Sequence, residues 1–181
     1  MWKTLAEKVV HKNKWYQVVQ KKFEMPNKKR GVYFIVDTND ASLIIPIIND
    51  EIFFIKQYRY TIKKWSLELP AGGVKIGSTP LKTAKEELHE ETGLVSASLK
   101  KIGKFATACG FSSEMCHIYL AKDLKFIGSK PEYTEEMKII RVKIKDIDKM
   151  IEDKKIIDGM TISALALAKK YLIKNNHGAN I

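Results

Sequence analysis

Apolar and polar residues alternate through much of the first third of the chain, and many of the apolar ones are aromatic or β-branched. Such alternation is typical of strands that bury one face of a sheet. It predicts four strands, WYQVVQKKFEM (15–25), GVYFIVDT (31–38), SLIIPII (42–48) and EIFFIKQYR (51–59). Asn49 and Asp50, between the last two, indicate a hairpin. Pro46 has no N–H to donate, which predicts that its own strand is an edge strand or a bulged one.

The remainder of the chain mixes strands with helices. Further strands are predicted at SLKKIGKFAT (98–107), EMCHIYLA (114–121) and MKIIRVKI (137–144), and helices at residues 80–92, KDIDKMIEDK (145–154) and GMTISALALAKKYLIK (159–174). The last helix places an apolar stripe along one side, formed by Ile162, Leu165, Ala168 and Leu172. A few helices inserted among mixed strands predict an α+β fold or an α/β/α sandwich.

The helix over residues 80–92 carries its own start and stop signals. Pro80 suits the first turn, and Thr79 just before it is a typical cap. Gly93 suits the end, because glycine adopts the left-handed backbone that commonly closes a helix.

Three carboxylates share one side of this helix. Glu87, Glu90 and Glu91 stand at i, i+3 and i+4, within an arc of about 100°. Like charges at this spacing destabilise a helix by about 0.2–0.5 kcal/mol per pair, and a divalent cation would reverse that effect, since Mg²⁺ prefers carboxylate oxygens. The alternative is a solvated acidic face balanced by Lys82 and Lys85. The glycine-rich ELPAGGVKIGSTP before the helix favours the cation, because such loops let backbone approach anions closely.

Composition limits the range of functions. The chain has 181 residues and a net charge of +11, of which residues 1–30 carry +7 and residues 138–181 carry +5. Basic residues concentrated near both ends of the sequence could attract phosphate-bearing partners. However, only three of the 32 basic residues are Arg, which binds phosphates and base edges through paired hydrogen bonds better than Lys does. This scarcity of Arg argues against nucleic acid as the main partner. No apolar stretch has the length of a signal peptide or a membrane span. We therefore expect a cytoplasmic protein with free thiols at Cys109 and Cys116.

From Gly72 to Leu94 the sequence resembles the Nudix hydrolase signature: Gly, five residues, Glu, seven residues, then Arg-Glu-apolar-x-Glu-Glu-x-Gly-apolar. Seven of its nine defined positions match, namely Gly72, Glu87, Leu88, Glu90, Glu91, Gly93 and Leu94. Five segments resemble, in order, the ADP-ribose and nucleoside-diphosphate-sugar branch: QYRY (57–60), ELPAGG (68–73), GFSSEMCHIYLA (110–121), TEEMKIIRV (134–142) and IIDGMTISALALA (156–168). The resemblance implies a Nudix-type α/β/α sandwich with a mixed β-sheet and an N-terminal antiparallel strand segment.

The resemblance also implies a reaction and a division of the chain. Water attacks a diphosphate linkage of ADP-ribose or a related sugar nucleotide with Mg²⁺ or Mn²⁺, giving a nucleoside monophosphate and a sugar phosphate. Residues 1–40 are expected to form a dimerisation segment, and residues 41–181 the catalytic domain. Trp2, Trp15 and the LIIPII segment (43–48) suit an apolar interface. The resemblance implies a two-fold homodimer in which each partner completes the site of the other.

Site residues follow from the same resemblance. The metal ligands are expected to be the Ala71 carbonyl and the side chains of Glu87, Glu90 and Glu91. Glu90 either binds the metal directly or takes part in catalysis next to the residues that bind it. The general base is expected from the acidic loop EYTEEM (132–137), with Glu135 the first choice and Glu136 the second. The expected substrate-binding residues are Arg59, Tyr60, Glu68, Gly72, Gly73 and Phe111. Tyr58 and Trp65 are further candidates for stacking on a base.

Some roles have structural alternatives. Arg59 either makes paired hydrogen bonds to a phosphate or forms an ion pair with Glu68. His89 points off the carboxylate side and is expected to be exposed, whereas His117, in a strand, is expected to be packed.

Two positions depart from the signature. Ser78 stands where the family has its first Glu, and Glu86 stands where it has Arg, so an ion pair usual in the family is missing. This departure motivates one alternative, a protein that binds a nucleotide sugar without hydrolysing it. The charge of +11 motivates another, an RNA 5′-end pyrophosphohydrolase.

Overall fold

Three strands at the N-terminus form a separate antiparallel sheet. A computed structural model describes residues 1–128 and 137–172. The sheet has the order β1-β2-β3, with β1 at Lys3–Lys12, β2 at Tyr16–Glu24 and β3 at Arg30–Thr38. β1 was not predicted; all ten of its residues are exposed, and it is held in place by pairing with β2 and by the stacking of Trp2 on Phe23.

The second sheet has seven strands and mixes parallel with antiparallel pairs. Its strands are β4 (Ala41–Ile48), β5 (Glu51–Arg59), β6 (Lys64–Glu68), β7 (Ala71–Gly73), β8 (Leu94–Ala106), β9 (Met115–Phe126) and β10 (Met137–Lys143). The order is β10-β5-β4-β9-β8, with β6 paired to β5 and β7 paired to β4. The β4–β9 pair is parallel, and the other pairs are antiparallel.

Helices cover both faces of this sheet. The helices are α1 (Pro80–Thr92), α2 (Ile147–Glu152), which follows a 3₁₀ turn, and α3 (Gly159–Leu172). Leu88 of α1 packs with Ile44, whereas Leu165 of α3 packs with Leu43 and Ile45, which point to the opposite face. The predicted sandwich is confirmed. No helix within residues 1–128 and 137–172 is both long and apolar enough to cross a bilayer.

The prediction from Pro46 that β4 is an edge or bulged strand is wrong. β4 is central, with β9 on one side and β5 and β7 on the other. On the side of β4 that faces β5 and β7, residues 41–43 pair with β7 and residues 47–48 pair with β5. Pro46 therefore lies between the two paired stretches. A proline is tolerated there because no antiparallel partner stands opposite it.

The N-terminal sheet is attached to the rest of its own chain through β3. The N–H of Val36 donates to the carbonyl of Phe111 at 2.7 Å, and the N–H of Ser113 donates to the carbonyl of Val36 at 3.1 Å. The hydroxyl of Tyr33 donates to the carbonyl of Gly110. These contacts orient the β1–β2 turn relative to the larger sheet.

The two cysteines should differ sharply in reactivity. Both are free; Cys109 is exposed, whereas Cys116 is fully buried. Burial raises the pKa of the Cys116 thiol to about 12, so about one molecule in ten thousand carries the thiolate at pH 8. We expect a disulfide reagent to label one thiol in the folded chain and two after denaturation. Rapid labelling of both in folded protein, or of one in folded Cys109→Ser, would contradict this assignment.

Candidate active site

The acidic side of α1 faces a cavity of about 420 Å³. Glu87, Glu90 and Glu91 form one wall, and the backbone of β7 with the loop after it forms another. The remaining lining residues come from two other regions, the N-terminal sheet with its connection to β4 (Lys14, Trp15, Thr38 and Asn39) and the start of β9 (Glu114). The three carboxylates of α1 and the glycine-containing strand β7 were predicted to lie together, and they line the same cavity.

Local capping fixes where α1 begins and ends. The hydroxyl of Thr79 accepts from the N–H of Lys82 at 3.2 Å, with Pro80 in the first turn. Gly93 has φ 70° and closes the helix by donating its N–H to the carbonyl of His89 at 2.8 Å. Both predicted caps are confirmed. The burial of Ala84 and Leu88 in the core sets the rotation of the helix and leaves its acidic side facing the cavity.

Glu91 joins the helix to β7. It is 8% exposed, and one of its carboxylate oxygens accepts from the N–H of Ala71 at 3.0 Å. A charge-assisted bond of this kind is stronger than a neutral one and holds the carboxylate in one orientation. The carboxylate of Glu91 and the backbone of Ala71 are thus adjacent at the floor of the cavity.

Glu87 fills the space that a side chain at Gly72 would occupy. A methyl group built on Gly72 would lie 2.0 Å from a carboxylate oxygen of Glu87, far inside contact distance. At Gly73 the same construction meets nothing within 4 Å. Gly72 is therefore required for the close approach of the helix carboxylate to the β7 backbone, and Gly73 is not.

The donor chemistry of this cavity fits a divalent cation. Carboxylates of Glu87, Glu90 and Glu91 and the backbone of Ala71 offer the hard oxygen ligands that Mg²⁺ and Mn²⁺ prefer. In the part of the chain that the structure describes, no three Asp, Glu, His or Cys side chains are already grouped so that they could hold a metal ion. These potential ligands line one cavity, and the three glutamate side chains would have to move closer together to bind a cation.

Arg59 and Glu68 form an ion pair. Arg59 donates three hydrogen bonds to the Glu68 carboxylate, from Nε at 2.9 and 3.2 Å and from a terminal nitrogen at 2.5 Å, and Gln57 adds a fourth at 3.3 Å. The hydrogen bonds to Glu68 raise the pKa of Arg59. Both residues line a second cavity of about 450 Å³, which shares Ala71 with the first. The structural alternative for Arg59 is thus observed, and a role for the pair in substrate binding stays a prediction.

Other predicted residues lie elsewhere. Tyr60 is 82% exposed and Phe111 is 58% exposed, and neither lines the carboxylate cavity. Tyr58 and Trp65 contact each other edge to face, also outside it. Glu135 and Glu136 lie outside the described residues.

The two histidines have different outcomes. His89 was predicted to be exposed and is instead half-buried, with its ring nitrogen 3.0 Å from the carbonyl of Gly128. The correction follows from the segment after β9, which returns against the end of α1. His117 is 8% exposed and contacts Asp40 and Lys101, as expected of a packed residue.

Neither of the two residues that depart from the signature lines this cavity. Glu86 pairs with Lys82 at 3.8 Å along the helix, so its charge has a local partner. The hydroxyl of Ser78 is buried and has no hydrogen-bond partner among the described residues.

Sequence reasoning missed seven residues of the cavity wall, which are Lys14, Trp15, Thr38, Asn39, Val74, Lys75 and Glu114. Lys14 and Trp15 come from the turn between β1 and β2, and Glu114 precedes β9. Glu114 stands within a segment recognised as similar to the sugar-nucleotide branch, so that likeness could have indicated it. No spacing rule connects the β1–β2 turn with α1, since the contact depends on how the N-terminal sheet docks.

Comparison with known proteins agrees with this geometry. The NUDIX domain model matches residues 37–159, and the model of the nucleoside diphosphate sugar hydrolase N-terminal domain matches residues 2–36. The chain is 31% identical over 166 residues to a Bacillus subtilis ADP-ribose pyrophosphatase, covering 90% of each chain. It is 33% identical over 145 residues to a Bacillus methanolicus methanol dehydrogenase activator, covering 78% of each.

A solved structure supports the same fold. A crystal structure of an ADP compounds hydrolase superposes with a TM-score of 0.86 at 24% identity, covering 96% of this chain and 95% of that one. The chain belongs to the Nudix family. The predicted enzyme class, a Nudix pyrophosphohydrolase, is confirmed. The division of the chain at residue 40 stays a prediction.

Proposed function

We propose that this enzyme hydrolyses the pyrophosphate bond of ADP-ribose or a related nucleoside-diphosphate sugar, giving a nucleoside monophosphate and a sugar phosphate. The observation that carries the proposal is the cavity in which the α1 carboxylates face the glycine-containing β7 strand. The similarity to an ADP-ribose pyrophosphatase over nine-tenths of both chains supports the choice of substrate.

Each wall of the cavity has a proposed task. Glu87, Glu91 and the Ala71 carbonyl would hold Mg²⁺ or Mn²⁺, with Glu90 beside them. When bound, a divalent ion supplies positive charge for the phosphoryl oxygens and lowers the pKa of a bound water. The N–H groups near Gly72 and Gly73 position a phosphate.

The attacking water must also lose a proton. We assign its removal to a carboxylate of the acidic sequence EYTEEM (132–137), Glu135 first and Glu136 second, because a carboxylate suffices as base once the water is acidified. The change of either residue to glutamine lowers kcat without raising KM if it serves as that base.

The experiment is a substrate panel with both metals in ¹⁸O-labelled water. ADP-ribose, ADP-glucose and UDP-glucose are incubated with the enzyme and Mg²⁺ or Mn²⁺, and products are resolved by mass. The expected result is a nucleoside monophosphate and a sugar phosphate in equal amounts, with one labelled oxygen in one of the two. Release of nothing from any member contradicts the proposal, as does release of inorganic phosphate in place of the pair.

We also propose that the enzyme is a homodimer joined through the N-terminal sheet. Trp2, Val32 and Phe34 are each about half exposed on this sheet, an amount of apolar surface that a second copy would cover. Sedimentation velocity should give twice the monomer mass, and Phe34→Lys should lower it toward one. A wild-type monomer at micromolar concentration would contradict the assembly.

A further inference from the structure

The loop between β7 and α1 forms part of the cavity wall, because Val74 and Lys75 line the cavity. Two of its possible links to the helix are missing. The buried hydroxyl of Ser78 has no hydrogen-bond partner among the described residues, and Glu86 pairs with Lys82 of the same helix. The placement of this wall therefore depends on contacts with other parts of the chain.

The residues at the start of β4 hold both ends of this loop. At its beginning, the N–H of Val74 donates to the carbonyl of Asp40 at 2.7 Å. Just after its end, the hydroxyl of Ser42, which is fully buried, donates to the carbonyl of Pro80 at 2.7 Å. Whatever fixes Asp40 consequently fixes Val74 as well.

The side chain of Asp40 is held by β9. One carboxylate oxygen accepts from the N–H of Met115 at 3.3 Å, and the other lies 2.8 Å from Nε2 of His117. Met115 directly follows Glu114, which lines the cavity. Asp40 thus joins two walls of the cavity, the loop through its carbonyl and the start of β9 through its carboxylate.

His117 is oriented toward Asp40 by a third group. Its side chain is buried, and Nδ1 of the ring lies 2.8 Å from the ammonium of Lys101. An ammonium group can only donate, so Nδ1 accepts and the ring proton is on Nε2, which donates it to Asp40. A hydrogen bond from a buried donor to a carboxylate is strong and holds that carboxylate in one orientation.

We propose that His117 is a positioning residue for the hydrolysis, acting through Asp40 on the cavity wall that contains Val74 and Lys75. His117 itself does not line the cavity. The inference rests on the proposed function, because the wall that it places adjoins the N–H groups assigned to a phosphate. Its effect is to keep that wall at a fixed distance from the α1 carboxylates.

Replacing His117 with leucine should lower kcat for ADP-ribose by about tenfold and change KM by less than about threefold. Leucine fills a similar space but donates no hydrogen bond, and groups that orient the residues of a metal site cost about 10–100-fold in activity when changed. His117→Gln, whose amide N–H can still reach Asp40, should recover kcat to within about threefold of wild type. Equal losses in the two variants, or no loss in His117→Leu, overturn the proposal.

A double-mutant cycle shows whether His117 acts through Asp40. Asp40→Ala alone should lower kcat about as much as His117→Leu does. The combined variant should lose no more than either single one, because each change breaks the same connection. Losses that multiply in the combined variant show that the two residues act separately, and they contradict the inference.

Amide hydrogen exchange, followed by mass spectrometry, reports on the wall without turnover. In folded His117→Leu, residues 72–78 should exchange at least about threefold faster than in wild type, whereas residues 51–59 of β5 should be unchanged. Unchanged exchange at 72–78, or equally faster exchange in both segments, refutes the positioning role.

The two readouts separate this inference from the proposed function. A wild-type enzyme that hydrolyses ADP-ribose, with an equally active His117→Leu variant, refutes the positioning role alone. A wild-type chain that hydrolyses no sugar nucleotide, but whose residues 72–78 respond to His117→Leu, refutes the proposed reaction alone.

Discussion

Replacing Glu87 with glutamine should lower kcat/KM for ADP-ribose by at least about a hundredfold while the chain stays folded. Residues that merely support metal ligands cost about 10–100-fold when changed, and a ligand should cost more. The amide keeps the size of the side chain beside Gly72 but removes its negative charge. The measurement is kcat/KM at saturating Mg²⁺, together with the melting temperature.

Glu86→Gln is the matched control. It removes the same charge one residue earlier, from a side chain that is 40% exposed and pairs with Lys82. Activity within about threefold of wild type is expected, because an exposed pair along a helix is worth about 0.3–0.5 kcal/mol. If the two glutamine variants lose activity equally, or if Glu87→Gln retains it, Glu87 has no special role.

A single methyl group at Gly72 should be nearly as damaging. In Gly72→Ala the new carbon would lie 2.0 Å from the Glu87 carboxylate, so that side chain must leave its place. The loss expected is about a hundredfold in kcat, since misplacing a group by about 1 Å can cost that much. Stability should change by less than about 1 kcal/mol, because the group that moves is the end of a flexible side chain. Kinetics and urea unfolding measure the two effects.

Gly73→Ala controls for the backbone. Its added methyl meets no protein atom within 4 Å, so stability should remain near wild type. Activity should fall far less than in Gly72→Ala, because Glu87 keeps its place and the backbone N–H is retained. A similar loss in both alanine variants would show that the strand, and not the position of Glu87, is what the substitution disturbs. A fully active Gly72→Ala would refute the packing of Glu87 against this glycine as a requirement for the reaction.

Local chemistry made α1 predictable. Thr79, Pro80 and Gly93 act within one turn of the residues they cap, so neither end depends on the rest of the fold. The three carboxylates followed from helical spacing alone. Their placement opposite β7 came from likeness to a family, because the approach of Glu87 to Gly72 joins positions 15 residues apart through tertiary packing.

Non-local contacts account for what sequence reasoning missed. β1 carries no buried residue and forms because β2 offers it a partner. The rule that proline marks an edge failed at Pro46, where a central strand changes partners. Lys14 and Trp15 reach the cavity only because β3 docks on residues 110–113, a contact that no periodicity encodes.

Anomalous diffraction from a crystal soaked with Mn²⁺ and AMP tests the account most directly. The proposed site requires a manganese peak at about 2.1–2.2 Å from carboxylate oxygens of Glu87 and Glu91, near the Ala71 carbonyl. Density for AMP with its phosphate at that peak would complete the result. A map in which Mn²⁺ binds elsewhere, or in which Glu87, Glu90 and Glu91 enclose no cation, would contradict it.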